Sequence, residues 1–178
     1  MVITILIIIL SICFVFILWF FALPWLFGAP YDVTREKAMK NILILTNPQN
    51  NNKIAELGSG DGRVCIQLAQ KNKKVKITGF EINPFLVLIS RRKIKKLGLQ
   101  NQIKIYWKNF WTEDLSKFNK VVFFQFKHVT SSLEKKFDKE LKRGTKIISH
   151  NWPLPNYKVK KKLGKHKLLE GAVYLYEK

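Results

Sequence analysis

The chain has 178 residues, with 32 basic against 12 acidic side chains and a formal net charge of +20. That length holds one ordinary domain plus an appendage. Its two cysteines, Cys13 in an apolar N-terminus and Cys65 in a predicted helix, exclude a disulfide framework and a zinc cluster. The charge implies attraction to a polyanion, either nucleic acid or an anionic membrane face, unless it is only the solvated surface of a Lys-rich protein.

From Val2 to about Gly28 the chain carries no charge, and Thr4 and Ser11 are its only polar side chains. Spanning a bilayer takes about 20 apolar residues, so this run predicts a transmembrane helix. A cleaved signal peptide needs a basic leader and a shorter apolar core, and neither is present. Trp19, Pro24 and Trp25 suit an interfacial end. Arg35, Lys37, Lys40 and Lys53 follow the run, which puts the N-terminus outside and the domain on the cytoplasmic side. The expected organisation is an anchor over 1–29, a helix and loop over 30–52, and the main domain over 53–178.

Beyond the anchor the pattern alternates between strands and helices. A helix is predicted from Thr34, as N-cap, to Leu45, then a loop from Asn47 to Asn52. Lys53 to Leu57 reads as a strand, Arg63 to Gln70 as a helix and Val75 to Phe80 as a second strand. Asn83-Pro84 opens a helix that Gly98 ends. Ile103 to Trp107 and Lys120 to Phe126 are further strands. Ser131 with Glu134 has the spacing of a capping box for a helix to Leu141. Thr145 to Ser149 is a fifth strand, and Leu168-Leu169 with Val173 to Glu177 predicts a closing hairpin around Glu170-Gly171. Such alternation gives an α/β fold with a mostly parallel sheet and an antiparallel edge.

Residues 54 to 63 read I-A-E-L-G-S-G-D-G-R, directly between a strand and a helix. Gly58, Gly60 and Gly62, with Ser59 and Asp61 between them, form G-x-G-x-G. A dinucleotide fingerprint needs glycine where Arg63 stands, and no Gly-Lys-Ser/Thr follows as in a Walker loop. The spacing therefore favours a smaller nucleoside ligand. Glu81 ends the second strand about 20 residues on, where a carboxylate accepts from ribose hydroxyls in a doubly wound sheet.

E-L-G-S-G-D-G and the later acidic strand end resemble the class I S-adenosylmethionine methyltransferases, whose Rossmann-like sheet has seven strands. The resemblance implies S-adenosylmethionine as cofactor. Glu56 and the glycine loop would surround its methionine part, Glu81 with Ile82 its ribose, and Asn109 with Phe110 its adenine. A narrower resemblance rests on P-Y-D-V-T-R-E-K-A at 30–38, F-E-I-N-P-F-L-V-L-I-S-R at 80–91 and W-K-N-F-W at 107–111. These segments are similar to membrane-anchored protein-lysine methyltransferases of the adenine nucleotide translocase and ATP synthase c-subunit type. The resemblance implies lysine of a membrane-associated protein as acceptor. RNA or a small molecule is the alternative acceptor for the same cofactor site.

A lysine acceptor must be neutral to attack, which calls for hydrogen-bond acceptors and aromatic walls around a narrow channel. Phe110, Trp111, Phe124 and Trp152 are the wall candidates, with Tyr31 and Thr34 closing from the N-terminal side. Gln125 can accept from the amine, and His128 is a candidate proton acceptor. The Asp/Asn-Pro-Pro-aromatic signature of base-amino methyltransferases is absent after the fourth strand. No metal is expected.

Overall fold

The structure, a computed structural model, describes residues 2–27, 32–165 and 171–178, with the backbone path alone over 19–27. In chain order the elements are α1 (Val2–Phe27), α2 (Glu36–Thr46), β1 (Lys53–Leu57), α3 (Arg63–Lys71), β2 (Lys76–Glu81), α4 (Pro84–Lys96) and β3 (Ile103–Trp107). A 3-10 turn at Phe110–Thr112 leads to β4 (Lys120–Phe123), α5 (Lys127–Glu140), β5 (Lys146–His150), β6 (Lys161–Leu163) and β7 (Val173–Glu177).

The strands make one seven-stranded sheet in the order β3-β2-β1-β4-β5-β7-β6. Strands β1 to β5 run parallel, while β7 is antiparallel to both β5 and β6. The chain reverses direction across the sheet between β1 and β4, which is where a doubly wound fold opens its ligand crevice. This is the mostly parallel sheet with an antiparallel edge expected from the alternating pattern, with the seven strands that the class I methyltransferase resemblance implies.

Strand alternation explains the two cores. Ile54 and Glu56 of β1 point to one face, where Ile42 and Leu45 of α2, Cys65 and Leu68 of α3 and Val87 and Ile94 of α4 cover the sheet. Ala55 and Leu57 point to the other, where Leu133 and Phe137 of α5 pack with Phe80, Phe118 and Phe123. Each fully buried leucine or phenylalanine contributes about 1.5–3 kcal/mol. At the edge, Arg91 of α4 reaches over β3 and donates from Nε (3.0 Å) and a terminal nitrogen (2.7 Å) to the Ile105 carbonyl.

Several sequence expectations are corrected in place. Helix α2 begins at Glu36 rather than Thr34; Arg35 is its N-cap and supplies no side-chain bond, while Thr34 is buried. Strand β4 stops at Phe123, and α5 begins at Lys127, so Ser131 lies inside a helix and no capping box forms with Glu134. Glu134 instead accepts from Asn156 N (2.7 Å), Asn156 Nδ2 (2.8 Å) and Tyr157 N (3.2 Å), which ties the segment after β5 to α5. Strand β7 pairs with Lys161–Leu163; the expected partner Leu168-Leu169 lies outside the described residues.

The apolar N-terminal run is helical over 26 residues, but its side chains are described only as far as Leu18. Among the described residues no helix is long and apolar enough to cross a membrane, a bilayer taking about 20 such residues.

Lys120, buried at the start of β4, donates to the carbonyls of Thr46 and Asn47 at 2.8 Å each. Those groups terminate α2 and have no partner inside the helix. Burial and the nearby charge of Lys146 pull the Lys120 ammonium down to about 8. Lys120→Met takes this donor from the Thr46 carbonyl and is expected to cost about 1–3 kcal/mol, read as a lower urea midpoint for the same protein.

Candidate cofactor and acceptor site

The site starts from the way β1 ends. Gly58 N and Ser59 N both donate to the Phe80 carbonyl at 2.9 Å, hanging the glycine turn from the end of β2. Gly58, Gly60 and Gly62 all have positive φ. At Gly58, with φ +76°, a Cβ would stand 2.6 Å from Gln125 Nε2. Only glycine allows both that backbone and that approach. The turn thereby brings the end of β4 against the end of β1, where Gln125 Nε2 donates to the Leu57 carbonyl at 3.1 Å.

Two acids flank this turn, and they differ. Glu81 is buried at the end of β2 and accepts from Gly60 N through Oε2 (2.7 Å) and from Asn83 N through Oε1 (2.8 Å). A carboxylate offers about four lone-pair sites, so acceptor capacity remains for a further donor such as a ribose hydroxyl. Burial raises its ionisation above the ordinary value, opposed by backbone donors of Asn83, Gly60 and Ile82.

Glu56 is buried beneath the turn, and its Oε2 accepts from Cys65 N (3.1 Å) and Cys65 Sγ (2.8 Å). Burial pushes its carboxyl up to about 8, against the lowering effect of those bonds. At neutral pH this group is largely a neutral acid, ready to ionise beside a cation.

Asp61 is occupied otherwise. It takes Arg63 (2.9 Å) and Lys93 of α4 (2.6 Å). Burial alone would raise its carboxyl, but the bonds from Arg63 and Lys93 prevail and hold it at about 2. It clamps the turn to α4. Ser59 is buried, with its hydroxyl unpaired.

Beyond β2, the Ile82 carbonyl accepts from the Trp107 indole at 2.9 Å, and Asn109 Oδ1 accepts from Trp111 N at 3.1 Å to cap the 3-10 turn. Phe110 is buried and packs on Trp111 with ring centres 4.9 Å apart. Trp111 also leans on the second core.

Phe124 and Gln125 follow β4 beside His150, the last residue of β5, with the Phe124 and His150 rings 4.1 Å apart. Gln125 Oε1 and His150 Nδ1 are both buried acceptors with no hydrogen-bond partner. Burial drives the His150 imidazole down to about 4, only partly offset by Asp32, so it stays neutral at pH 7. Trp152 is half-buried just after it, and Trp152 N donates to the His150 carbonyl at 3.0 Å. Thr34 is buried on the N-terminal side. Tyr31 lies outside the described residues.

His128, the sequence candidate, is exposed in the first turn of α5. Sequence reasoning misses His150 because the predicted fifth strand stops at Ser149, one residue short. The signal for it is its place: the carboxyl end of the strand next to β4, followed by Asn151 at φ 70°.

Two outcomes follow. Gly58→Ala places a side chain on left-handed backbone against Gln125, and about 1–2 kcal/mol of stability should go with it, measured by urea unfolding. Glu56 is expected to meet the cationic end of S-adenosylmethionine, the expected cofactor, and would have to ionise to do so. Its ordinary state is protonated below about 8, so binding there releases a proton and affinity rises with pH. Calorimetry should find a gain approaching about tenfold per pH unit toward that value, then a plateau. Glu56→Gln should flatten the curve; an unchanged slope would remove Glu56 from the cofactor site.

The ANTKMT methyltransferase domain family matches residues 56–161. A protein-lysine N-methyltransferase of Saccharolobus islandicus (strain REY15A) is 31% identical over 151 residues, covering 83% of this chain and 92% of its own. The ATP synthase c-subunit lysine N-methyltransferase of Xenopus laevis is 30% identical over 128 residues, covering 72% of this chain but only 55% of its own. This chain thus spans about half of that longer relative. Among solved structures, an RNA methyltransferase of Salinibacter ruber in complex with S-adenosyl-L-homocysteine has the same fold, with a TM-score of 0.75, 23% identity and coverage of 82% and 93%. The spare acceptor sites of Glu81 and the near-neutral carboxyl of Glu56 fit the ribose and the cationic end of that class of cofactor. The chain belongs to the ANTKMT methyltransferase domain family, with S-adenosylmethionine as its cofactor.

Proposed function

We propose that this protein methylates lysine side chains of membrane-associated proteins from a membrane tether, with its catalytic domain on the cytoplasmic side. One observation carries the acceptor reading: Gln125 Oε1 and His150 Nδ1 are buried, unpartnered acceptors at adjacent strand ends beside the glycine turn. Buried polar atoms normally have partners. An incoming amine has N–H groups to offer both atoms.

S-adenosylmethionine supplies an electrophilic methyl group when bound. The chain's own residues do the rest. Gln125 fixes the amine's direction, which matters because in-line displacement depends on positioning. His150, held neutral by burial, offers Nδ1 to the amine as a hydrogen-bond acceptor, and the ammonium gives its proton to water before the lone pair is lined up. Phe124 packs against the His150 ring and is the aromatic wall on that side. The lysine acceptors named for the relatives support the same reading.

The tether rests on α1: a 26-residue helix without a charge, whose described apolar side chains from Val2 to Leu18 are exposed. In the sequence the uncharged run continues to about Gly28, past the side chains the structure describes, and so reaches the roughly 20 residues that a bilayer span takes. Tethering also answers the repulsion between a +20 protein and a basic target, because it raises local concentration. The same charge favours a second reading in which RNA is the acceptor.

Gln125→Leu is expected to leave cofactor affinity within about twofold and to lower turnover about 100-fold, and His150→Phe to act alike. Membrane protein and RNA incubated separately with methyl-labelled cofactor decide the acceptor. Label in lysines of membrane protein is expected. Label confined to RNA would reject the lysine reading.

A further inference from the structure

Helix α4 carries a surface that neither the cofactor site nor the acceptor site uses. Phe85, Leu88 and Ile89 are 43%, 47% and 41% exposed, and they are followed on the same helical stripe by exposed Arg92 and Lys96. Residues three and four apart share a helix face. The face is therefore divided along its length, apolar in the N-terminal half and basic in the C-terminal half, where Lys95 and Lys96 lie in the last turn. An isolated exposed leucine needs no explanation, but a graded stripe does.

The apolar half lies at a particular end of the molecule. Helix α4 starts three residues beyond Glu81, so Phe85 stands at the carboxyl edge of the sheet, on the level of the cofactor turn. Trp107, 61% exposed, reaches the same end through its bond to the Ile82 carbonyl. The ring of Phe16 in α1 meets Phe85 edge to face at 5.3 Å.

We propose that this face of α4 docks the domain on an anionic lipid bilayer, with the carboxyl edge of the sheet turned toward the membrane. The proposal rests on the tether reading for the placement of α1. If about 20 residues counted from Val2 fill the hydrocarbon, Phe16 lies roughly 8 Å inside its domain-side boundary at 1.5 Å per residue. Its contact carries Phe85 to a similar depth, within the roughly 5–10 Å to which interfacial amphipathic helices bury their apolar faces. Arg92, Lys95 and Lys96 then stand at headgroup level, where each base near an anionic surface adds about 1 kcal/mol. A site mouth on that edge opens toward membrane-embedded acceptors rather than toward the aqueous phase.

The test uses the full chain with Cys13→Ser, reconstituted in vesicles of phosphatidylcholine alone or with phosphatidylglycerol. Nitroxide labels are placed singly at Leu10→Cys, Leu88→Cys and Lys135→Cys, the last being exposed on α5 across the sheet. In the anionic vesicles the label at 88 should match the label at 10 in preferring oxygen over an aqueous nickel complex, several-fold above the label at 135. Removing the anionic lipid, or adding Arg92→Glu with Lys96→Glu, should return it toward water. A label at 88 as aqueous as that at 135, with 10 still in the bilayer, overturns the docking and leaves the tether standing. An aqueous label at 10 sinks the tether, and with it this placement of α4.

Discussion

Everything in the site hangs on one shared acceptor, the carbonyl of Phe80. Two consecutive amides of the glycine turn, Gly58 and Ser59, donate to it. This joins the ends of β1 and β2 more tightly than the strand ladder alone. With those ends fixed, Gly60 N reaches the Glu81 carboxylate, Gln125 closes on Leu57, and α3 starts in the direction that places Cys65 on Glu56. Each later contact presupposes the first. A residue with a Cβ at 58 would separate the turn from Gln125, so cofactor side and acceptor side share one steric condition.

The ionisable groups around the turn divide by burial and partner. Asp61 has two cations within reach and stays ionised as a structural clamp; Glu56 has only a thiol and an amide and stays largely protonated. The same kind of carboxyl group does different work because the partners differ. Most of the large positive charge of the chain takes no part in this chemistry. The few bases that do, Arg63 and Lys93, are both tied to Asp61 of the turn.

The fold was legible because burial imposes periodicity. Parallel strands buried on both faces read as apolar runs, and helices covering them repeat at three and four, so β1, α3, α4 and β3 were placed almost to the residue. Asn83-Pro84 was legible for a local reason, since the Asn83 side chain does accept from Phe85 N and Leu86 N. Errors came where tertiary partners override local chemistry. Ser131 and Glu134 have capping spacing, but Glu134 is worth more holding the segment after β5. His150 could not be weighed against His128 from one sequence, because what distinguishes them is burial beside Phe124 and Gly171. A Cβ at 171 would collide with His150 Nε2, a contact between residues twenty-one apart that no local pattern reveals.

The reach of Arg91 across β3 has a consequence for the protein outside its catalytic life. An open sheet ends in two strands with unpaired peptide groups, and such edges recruit further strands from neighbouring molecules. On one side, Arg91 already occupies the Ile105 carbonyl, and Lys104 is exposed beside it. On the other, β6 has only three residues, two of them exposed lysines. Both borders of the sheet are thus guarded by cations against polymerisation, so the domain stays a separate molecule at concentrations where a bare edge would stack.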